Sequence, residues 1–478
     1  MQFANIVFGK ASGEAEAAEV PGLVADGYFD MGMLDPLLKR QKWLMLGRKG
    51  TGKSILGEKL KQICELTING NATRVVHLSD FPYRTFSQLI PNSIEASTRY
   101  PATWSWLLCL LLIDALSQHS GANKPLNSDA NTAVSNLRHA GLLPTSDLQK
   151  LVVLSSKSAF KSQIPHLVEQ LGDTESKSTA KDMAFLTLVE SLKQIIVRFA
   201  FHGQQFLVVD GLDDILINHT VQYETLTALI FEAQRLNSFF KVNSVPISIV
   251  VLCRTDLYEV LPGPNKNKVR QDSAIEIDWY KIASASERSA LVHLANLRAK
   301  LSLGRDVDIF TEFLPQTLDG QPTVKYLTDL TRHTPRDFLM LLTHIQSAAT
   351  SDRVTRANIL DGAKSYSEQY FLPEIKDELV GYVKPGDFEA FLNCLGEIHE
   401  RRFTTARLVT AARSFGIPKV RVEIMLHALF AASAIGMTWT GQSRQERFEF
   451  KFRNPHAVFN SHRTILLHKG LWKVLNLA

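Results

Sequence analysis

Eight consecutive residues, Gly47-Arg48-Lys49-Gly50-Thr51-Gly52-Lys53-Ser54, combine the groups needed to hold a polyphosphate. Glycines let backbone N–H groups curl around phosphate oxygens. A lysine at this position reaches the β- and γ-phosphates, and the hydroxyl after it can sit on Mg²⁺. The loop follows the apolar run Trp43-Leu44-Met45-Leu46 and opens a helical pattern from Ile55 to Ile63. That strand–loop–helix setting distinguishes a phosphate-binding loop from a bare Gly-rich turn, and it implies binding of ATP or GTP.

A second apolar run, Phe206-Leu207-Val208-Val209, ends in Asp210. With Ser54, Asp210 is expected to hold Mg²⁺ and its water shell. Attack of water on a γ-phosphate needs an acid to orient it. Asp213 and Asp214 are the nearby choices; Asp214 is slightly preferred, because Asp213 is also placed to cap the next helix. The strand Pro246–Cys253 ends at Arg254, positioned either to sense the γ-phosphate or to form a surface ion pair. Pro335-Arg336 is expected to bring a cation or a backbone N–H onto the nucleotide, the alternative being a plain helix start. Arg270 and Arg305 are open candidates for a finger inserted into a neighbouring subunit.

The elements that position these residues alternate between strand and helix. Further strands are expected at Arg74–Leu78 and Ala274–Asp278, completing a parallel sheet with helices on both faces. Between Leu78 and Phe201 the chain departs on an excursion far longer than a crossover connection requires. It contains apolar helical runs at Trp104–Leu116 and Phe185–Phe199 and polar stretches at Gln118–Ser135 and Gly172–Asp182, the pattern of a helical insertion. Residues 284–372 look helical, with starts near Ser286, Val307, Thr323 and Thr355. Three short helices follow, at Asp387–Glu400, Thr404–Ser414 and Pro418–Ala432. The alternating run Arg447-Phe448-Glu449-Phe450-Lys451-Phe452-Arg453 comes next, with its three phenylalanines on one face. Helices followed by a hairpin are the order of a winged helix. The expected organisation is α/β: an N-terminal leader (1–36), a parallel-sheet P-loop NTPase core (37–283, helical insertion about 85–200), a helical lid (284–375) and a C-terminal winged helix (376–478).

Composition agrees with a chain of several cored domains: 478 residues, 45% of them hydrophobic. Cys64, Cys109, Cys253 and Cys394 are scattered in apolar settings, as small core residues of a reduced, cytoplasmic protein would be. The apolar run Trp104–Ile113 is too short to cross a bilayer, so no membrane partner is expected. Residues 381–478 hold fourteen Lys/Arg against seven Asp/Glu, a balance of +7, while the first 380 residues net −2. A basic C-terminal domain suits weak nucleic-acid binding, an acidic protein surface or a merely solvated face.

Taken in order, the phosphate loop, Phe206–Asp214, the strand ending in Arg254, the helical region with Pro335-Arg336 and the winged helix resemble the STAND and origin-recognition-like branch of AAA+ P-loop ATPases. More narrowly, Gly27-Tyr28-Phe29-Asp30 ahead of the loop, with Leu78-Ser79-Asp80-Phe81-Pro82-Tyr83, resembles a poorly characterised bacterial P-loop ATPase family often found near defence genes. The resemblance implies an ATP- and Mg²⁺-dependent switch that controls self-assembly, as a homo-oligomer, or engagement of an effector protein encoded nearby, in a setting such as anti-phage defence. The chain departs from STAND proteins in having no visible repeat sensor. An ATP-dependent DNA loader or remodeller that uses the winged helix is the alternative, and a nucleotide-stabilised scaffold with negligible turnover is a third.

Overall fold

A computed structural model of the chain describes residues 2–66, 70–78, 81–86, 89, 95–118, 124–125, 128–145, 148–156, 164, 166–167, 181–212, 220–280, 289–380, 382–441 and 445–477. Five strands make the core sheet: β1 (Leu44–Gly47), β2 (Ala72–His77), β3 (Gln205–Asp210), β4 (Ile247–Arg254) and β5 (Ala274–Ile277). All pair in parallel, in the order β2-β3-β4-β1-β5. The loop after β1, Asp210 and Arg254 therefore all emerge at the carboxyl edge, where open α/β sheets bind ligands.

Alternation along the strands divides the core. Met45, Phe206, Val208, Val250 and Leu252 face α1 (Lys53–Leu66), together with residues from the N-terminal and C-terminal regions. Their neighbours Leu44, Leu46, Leu207, Val209, Ile249 and Val251 face the insertion. A strand buried on both faces reads as a continuous apolar run, which is why β3 and β4 were legible. The insertion is built on α2 (Ala96–Gln118), which packs against α3 (Lys181–Val197) and α4 (Thr220–Val242). Asp114 pins it to β2 by accepting bonds from Arg74 (2.9 Å) and from the Thr145 amide and hydroxyl (2.9 and 2.7 Å). The apolar run in α2 is longer than its sequence suggested. The helix is long and apolar enough to span a membrane by length and composition, but 89% of its most apolar window is buried inside the protein.

The lid comprises α5 (Ala290–Leu303), α6 (Pro335–Ala348), α7 (Arg356–Tyr366) and α8 (Leu372–Glu378). Caps at Ser289, Thr334 and Thr355 start the first three; the start expected at Thr355 is this cap, and those expected near Val307 and Thr323 fall at the short helices Ile309–Glu312 and Thr323–Asp329. The start expected near Ser286 lies outside the described residues. A π-helical turn, Ser367–Phe371, joins α7 to α8, and Tyr370 from this turn donates to Asp337 at 3.1 Å. The first residues of the chain are built into this region. Phe3, Ile6 and Phe8 are buried with lid side chains, and Gln346 donates to the carbonyls of Phe3 and Ile6 at 2.6 and 2.8 Å.

The C-terminal unit has α9 (Pro385–Ile398), α10 (Thr405–Ser414) and α11 (Lys419–Ala431). Its antiparallel sheet comprises β6 (Arg402–Phe403), β7 (Ile435–Thr440), β8 (Glu446–Glu449) and β9 (Thr464–Leu467), in the order β6-β9-β7-β8. The alternating run Arg447–Arg453 does not form one long strand. β8 stops at Glu449 and Phe448 stays partly exposed, while Phe450 and Phe452 turn inward. There Phe452 stacks on His333 and meets Tyr280 edge-on, at 5.4 and 5.8 Å between ring centroids. Both phenylalanines also meet His468 edge-on. Aromatic burial between domains overrides the local two-residue period.

This junction makes stability pH-sensitive. Burial, with Arg453 and Arg48 nearby, lowers His333 from 6.5 to about 4. Burial, with Arg332 nearby, lowers His468 to about 3. His468 is also fixed as a neutral acceptor, its Nδ1 taking the Gly470 N–H at 3.0 Å. Both groups resist protonation when folded and accept it when released, so their contribution is fully present above pH 6.5 and declines as pH falls towards 4. The thermal midpoint is expected to drop steadily between pH 7 and 5. The slope, followed by calorimetry, should be shallower in His333→Gln; an identical slope would exclude His333 from this effect.

Candidate functional site

The phosphate loop closes on itself. Gly50 and Gly52 have φ of +79° and +92°, conformations that side chains disfavour. The Thr51 hydroxyl donates to the Arg48 carbonyl at 2.8 Å. Lys53, buried, donates to the carbonyls of Gly47 and Arg48 at 3.1 and 3.2 Å. Trp279, just beyond β5, props the loop from behind by donating to the Thr51 carbonyl at 3.1 Å. Phe29 of the Gly27–Asp30 segment packs against Trp279 and stacks on His293, so that segment braces the core against the lid.

Three loop residues in succession are held from outside the core. Arg48 donates to the Arg332 carbonyl at 3.1 Å and lies 5.8 Å from the Phe452 ring centroid. Lys49 pairs with Glu374 at 3.2 Å. The Gly50 carbonyl accepts the Arg336 N–H at 3.3 Å, and the Arg336 guanidinium also reaches Glu374, at 3.5 Å. Arg336 stands at the start of α6, behind Pro335, so its backbone and its side chain both face the loop.

A cleft open to solvent runs along the front of the loop past Gly50, Gly52, Lys53, Ser54 and Arg336. Its opposite wall is the N-terminal segment, with Lys10, Ala11, Gly13 and Glu16. Glu16 holds that wall in place through Arg298 of α5, at 2.6 and 2.9 Å, both side chains being buried. Behind the loop a second hollow collects Arg48, Lys49, Arg254, Arg332 and Lys451 against Asp256, Glu259 and Glu378. Arg254 is bound there by both oxygens of Asp256, at 2.5 and 3.0 Å. Burial alone would raise the Asp256 carboxyl, but Arg254 and then Lys53 hold it below its usual range.

The structure thus brings Gly50, Gly52, Lys53, Ser54 and Arg336 into one cleft and sets Arg48, Lys49 and Arg254 in the hollow behind the loop. Asp213 and Asp214 lie outside the described residues. Asp210 caps the Gly211 N–H at 2.8 Å through Oδ1, while Oδ2 is buried without a hydrogen-bond partner among the described residues, an arrangement that fits an oxygen ligand for Mg²⁺. Such an ion would neutralise phosphate oxygens beside Lys53. Arg270 is taken up by Glu259 and Glu276, and Arg305 by Glu312 and Gln2. Nothing local in the sequence singles out Glu16 of the cleft wall, Trp279 or Glu374, which meet Arg298, Thr51 and Lys49 across more than 200 residues.

Sheet order, a helix springing from the β1 loop and an acid closing β3 define a P-loop α/β fold. Residues 289–372 match the family described as the FunZ-associated C-terminal helical domain. Among solved structures, the chain is similar to the crystal structure of Cdc6p from Pyrobaculum aerophilum. Identity is 13%, over 95% of this chain and 96% of that one, with a TM-score of 0.31. No curated protein sequence matches the chain.

Lys53→Ala is expected to abolish ATP binding, since the loop would lose its principal phosphate cation while Gly47, Thr51 and Trp279 keep its backbone in shape. Titration calorimetry alongside a thermal melt tests this, and an unchanged affinity would refute phosphate binding by the loop.

Proposed function

We propose that this chain is an ATP-binding and ATP-hydrolysing switch in which the phosphate loop controls the docking of the lid and winged helix. Contact of Arg48, Lys49 and Gly50 with Arg332, Phe452, Glu374 and Arg336 carries this reading. Phosphates drawn onto the loop would compete for the same cations and backbone groups, so occupancy and domain docking are coupled. Arg254 supplies a second coupling, because a γ-phosphate offers it an alternative to Asp256. Hydrolysis requires an acid to orient water, a role assigned to Asp214 or Asp213, with Mg²⁺ held by Ser54 and Asp210.

The output of the switch is self-assembly or engagement of a protein partner in the cytoplasm, as in AAA+ proteins of the STAND type, with anti-phage defence as the setting. Chemistry on α11 supports a protein-facing winged helix. Val420 and Ile424, four residues apart, are 66% and 50% exposed. The basic residues beside them are occupied, Lys419 by Glu423 at 3.6 Å and Arg421 by Asp387 at 2.9 Å. A base-reading helix would offer free Arg, Asn or Gln on that face. Two cations of the wing also turn inward, Lys451 donating to the Ala457 carbonyl and Arg453 lying over Tyr280 and Phe452, while Arg447 on β8 stays exposed. The DNA-loader reading retains the +7 balance of residues 381–478 in its favour. Tight DNA binding that survives moderate salt would establish it instead.

Asp214→Asn is expected to bind ATP normally and to hydrolyse it about 100-fold more slowly or worse. If Asp213→Asn is the inactive variant and Asp214→Asn is normal, the roles are exchanged. Lys451→Glu combined with Arg453→Glu would place two carboxylates beside the buried aromatic junction. Mass photometry with and without ATP is expected to show altered ATP-dependent assembly in this variant, and parent-like behaviour would remove the winged helix from the switch.

A further inference from the structure

His77, Glu14 and Asp210 converge at the carboxyl edge of the sheet. His77 ends β2 and lies in register with Asp210 at the end of β3. Glu14 stands in the first turn of the helix Gly13–Glu19. That helix rests against the start of α1, so closely that a Cβ on Gly13 would lie 3.3 Å from the Ser54 Cβ. Glu14 Oε1 is 3.3 Å from His77 Nδ1, and Nδ1 is 4.0 Å from Asp210 Oδ2. All three ligand atoms fall within 4.8 Å of one another. An octahedral ion with bonds of about 2.2 Å sets adjacent ligands about 3 Å apart and opposite ones about 4.4 Å apart. The separations of 3.3 and 4.0 Å fall between about 3 and about 4.4 Å, within the span over which ligands can share one ion.

Hydrogen bonding among the described residues does not account for the cluster. Asp210 is 4% exposed, and its Oδ2 is buried with no hydrogen-bond partner. His77 Nδ1 is likewise buried and unbonded, although the Glu14 carboxylate is within ionic reach. A buried carboxylate oxygen left bare is costly, and native structures seldom leave one without a partner. A cation placed between the three atoms would satisfy Asp210 and His77 together and neutralise two carboxylates.

We propose that Glu14, His77 and Asp210 coordinate a divalent transition-metal ion, with Mn²⁺ preferred over Mg²⁺. Mg²⁺ favours all-oxygen surroundings and gives up water reluctantly, whereas an imidazole ligand favours first-row transition ions. Two carboxylates and one imidazole leave octahedral positions for water or for phosphate oxygens arriving at Lys53. The inference builds on the proposed switch, because Asp210 serves both. It puts Mn²⁺ in place of the Mg²⁺ assigned above to Asp210 and ties the N-terminal helix to it: Glu16, two residues beyond Glu14, is locked to Arg298, so the ion would link the sheet edge to the lid through the cleft wall.

The full chain is titrated with MnCl₂ without nucleotide, and free Mn²⁺ is followed by electron paramagnetic resonance. One Mn²⁺ per chain is expected, displaced by Mg²⁺ only at tenfold or greater excess. Electron spin-echo modulation should show coupling to an imidazole ¹⁴N. His77→Ala is expected to lose that coupling and at least tenfold in Mn²⁺ affinity. His77→Gln, which restores an oxygen donor, should recover binding without the coupling and without the preference over Mg²⁺. Thermal melts verify that both variants fold. No Mn²⁺ binding below about 1 mM, bound Mn²⁺ lacking ¹⁴N coupling, or coupling that persists in His77→Ala would each overturn the proposal. A parent that binds ATP but shows no coupled ion leaves the switch standing and removes this site. A parent with the coupled ion but no ATP binding does the reverse.

Discussion

A buried guanidinium holds the lid in shape. Arg332 reaches Asp337 at 2.8 and 3.0 Å and Glu378 at 2.6 Å, and lies 5.3 Å from the Phe371 ring centroid. A cation so enclosed is tolerable only because carboxylates surround it, and breaking such a pair costs about 3–5 kcal/mol. The network fixes the turn from Thr331 to Asp337, which contains the Thr334 cap and Arg336. It also aims the Arg332 carbonyl at Arg48. The geometry seen at the phosphate loop is thus inherited from a charge cluster in another domain. Asp337, deep in that cluster, is held at about 2: burial opposes this shift, but Arg332 outweighs it.

Division of the sheet into two faces explains how one core serves two neighbours. Residues of one parity along β3 and β4 commit to the insertion, and those of the other parity to α1 and the regions behind it. The loop after β1 lies at the boundary between these two packing systems. It can be gripped by the lid and winged helix without disturbing the insertion, whose anchorage through Asp114, Arg74 and Thr145 is separate.

What the sequence made legible was local. Gly47–Ser54 and the apolar strands ending at Asp210 and Arg254 declare themselves within a few residues, because loop chemistry and double-sided burial leave short-range signatures. The helices of the lid and winged helix were visible from caps and apolar periodicity. Features that depend on distant partners were not visible. Glu16 meets Arg298 at a sequence separation of 282, and Lys49 meets Glu374 in a different domain. The alternating run around Phe450 misled for the same reason: its period was genuine, but Tyr280, His333 and His468 offered Phe450 and Phe452 a better place to be buried. Lys451 and Arg453 followed the backbone inward, which a count of charges could not reveal.

The way Phe3, Ile6 and Phe8 are bound has a consequence for synthesis on the ribosome. Their partners, among them Phe313 and Gln346, are made some 300 residues later. The sheet and its phosphate loop are complete once β5 has emerged, yet the wall formed by Lys10–Glu16 must wait for α5 and α6. During that interval a nascent chain would carry a competent loop beside an unfinished cleft, with Phe3, Ile6 and Phe8 still exposed. Domains of a growing chain generally fold as units, N-terminal first; here the first residues are among the last to settle.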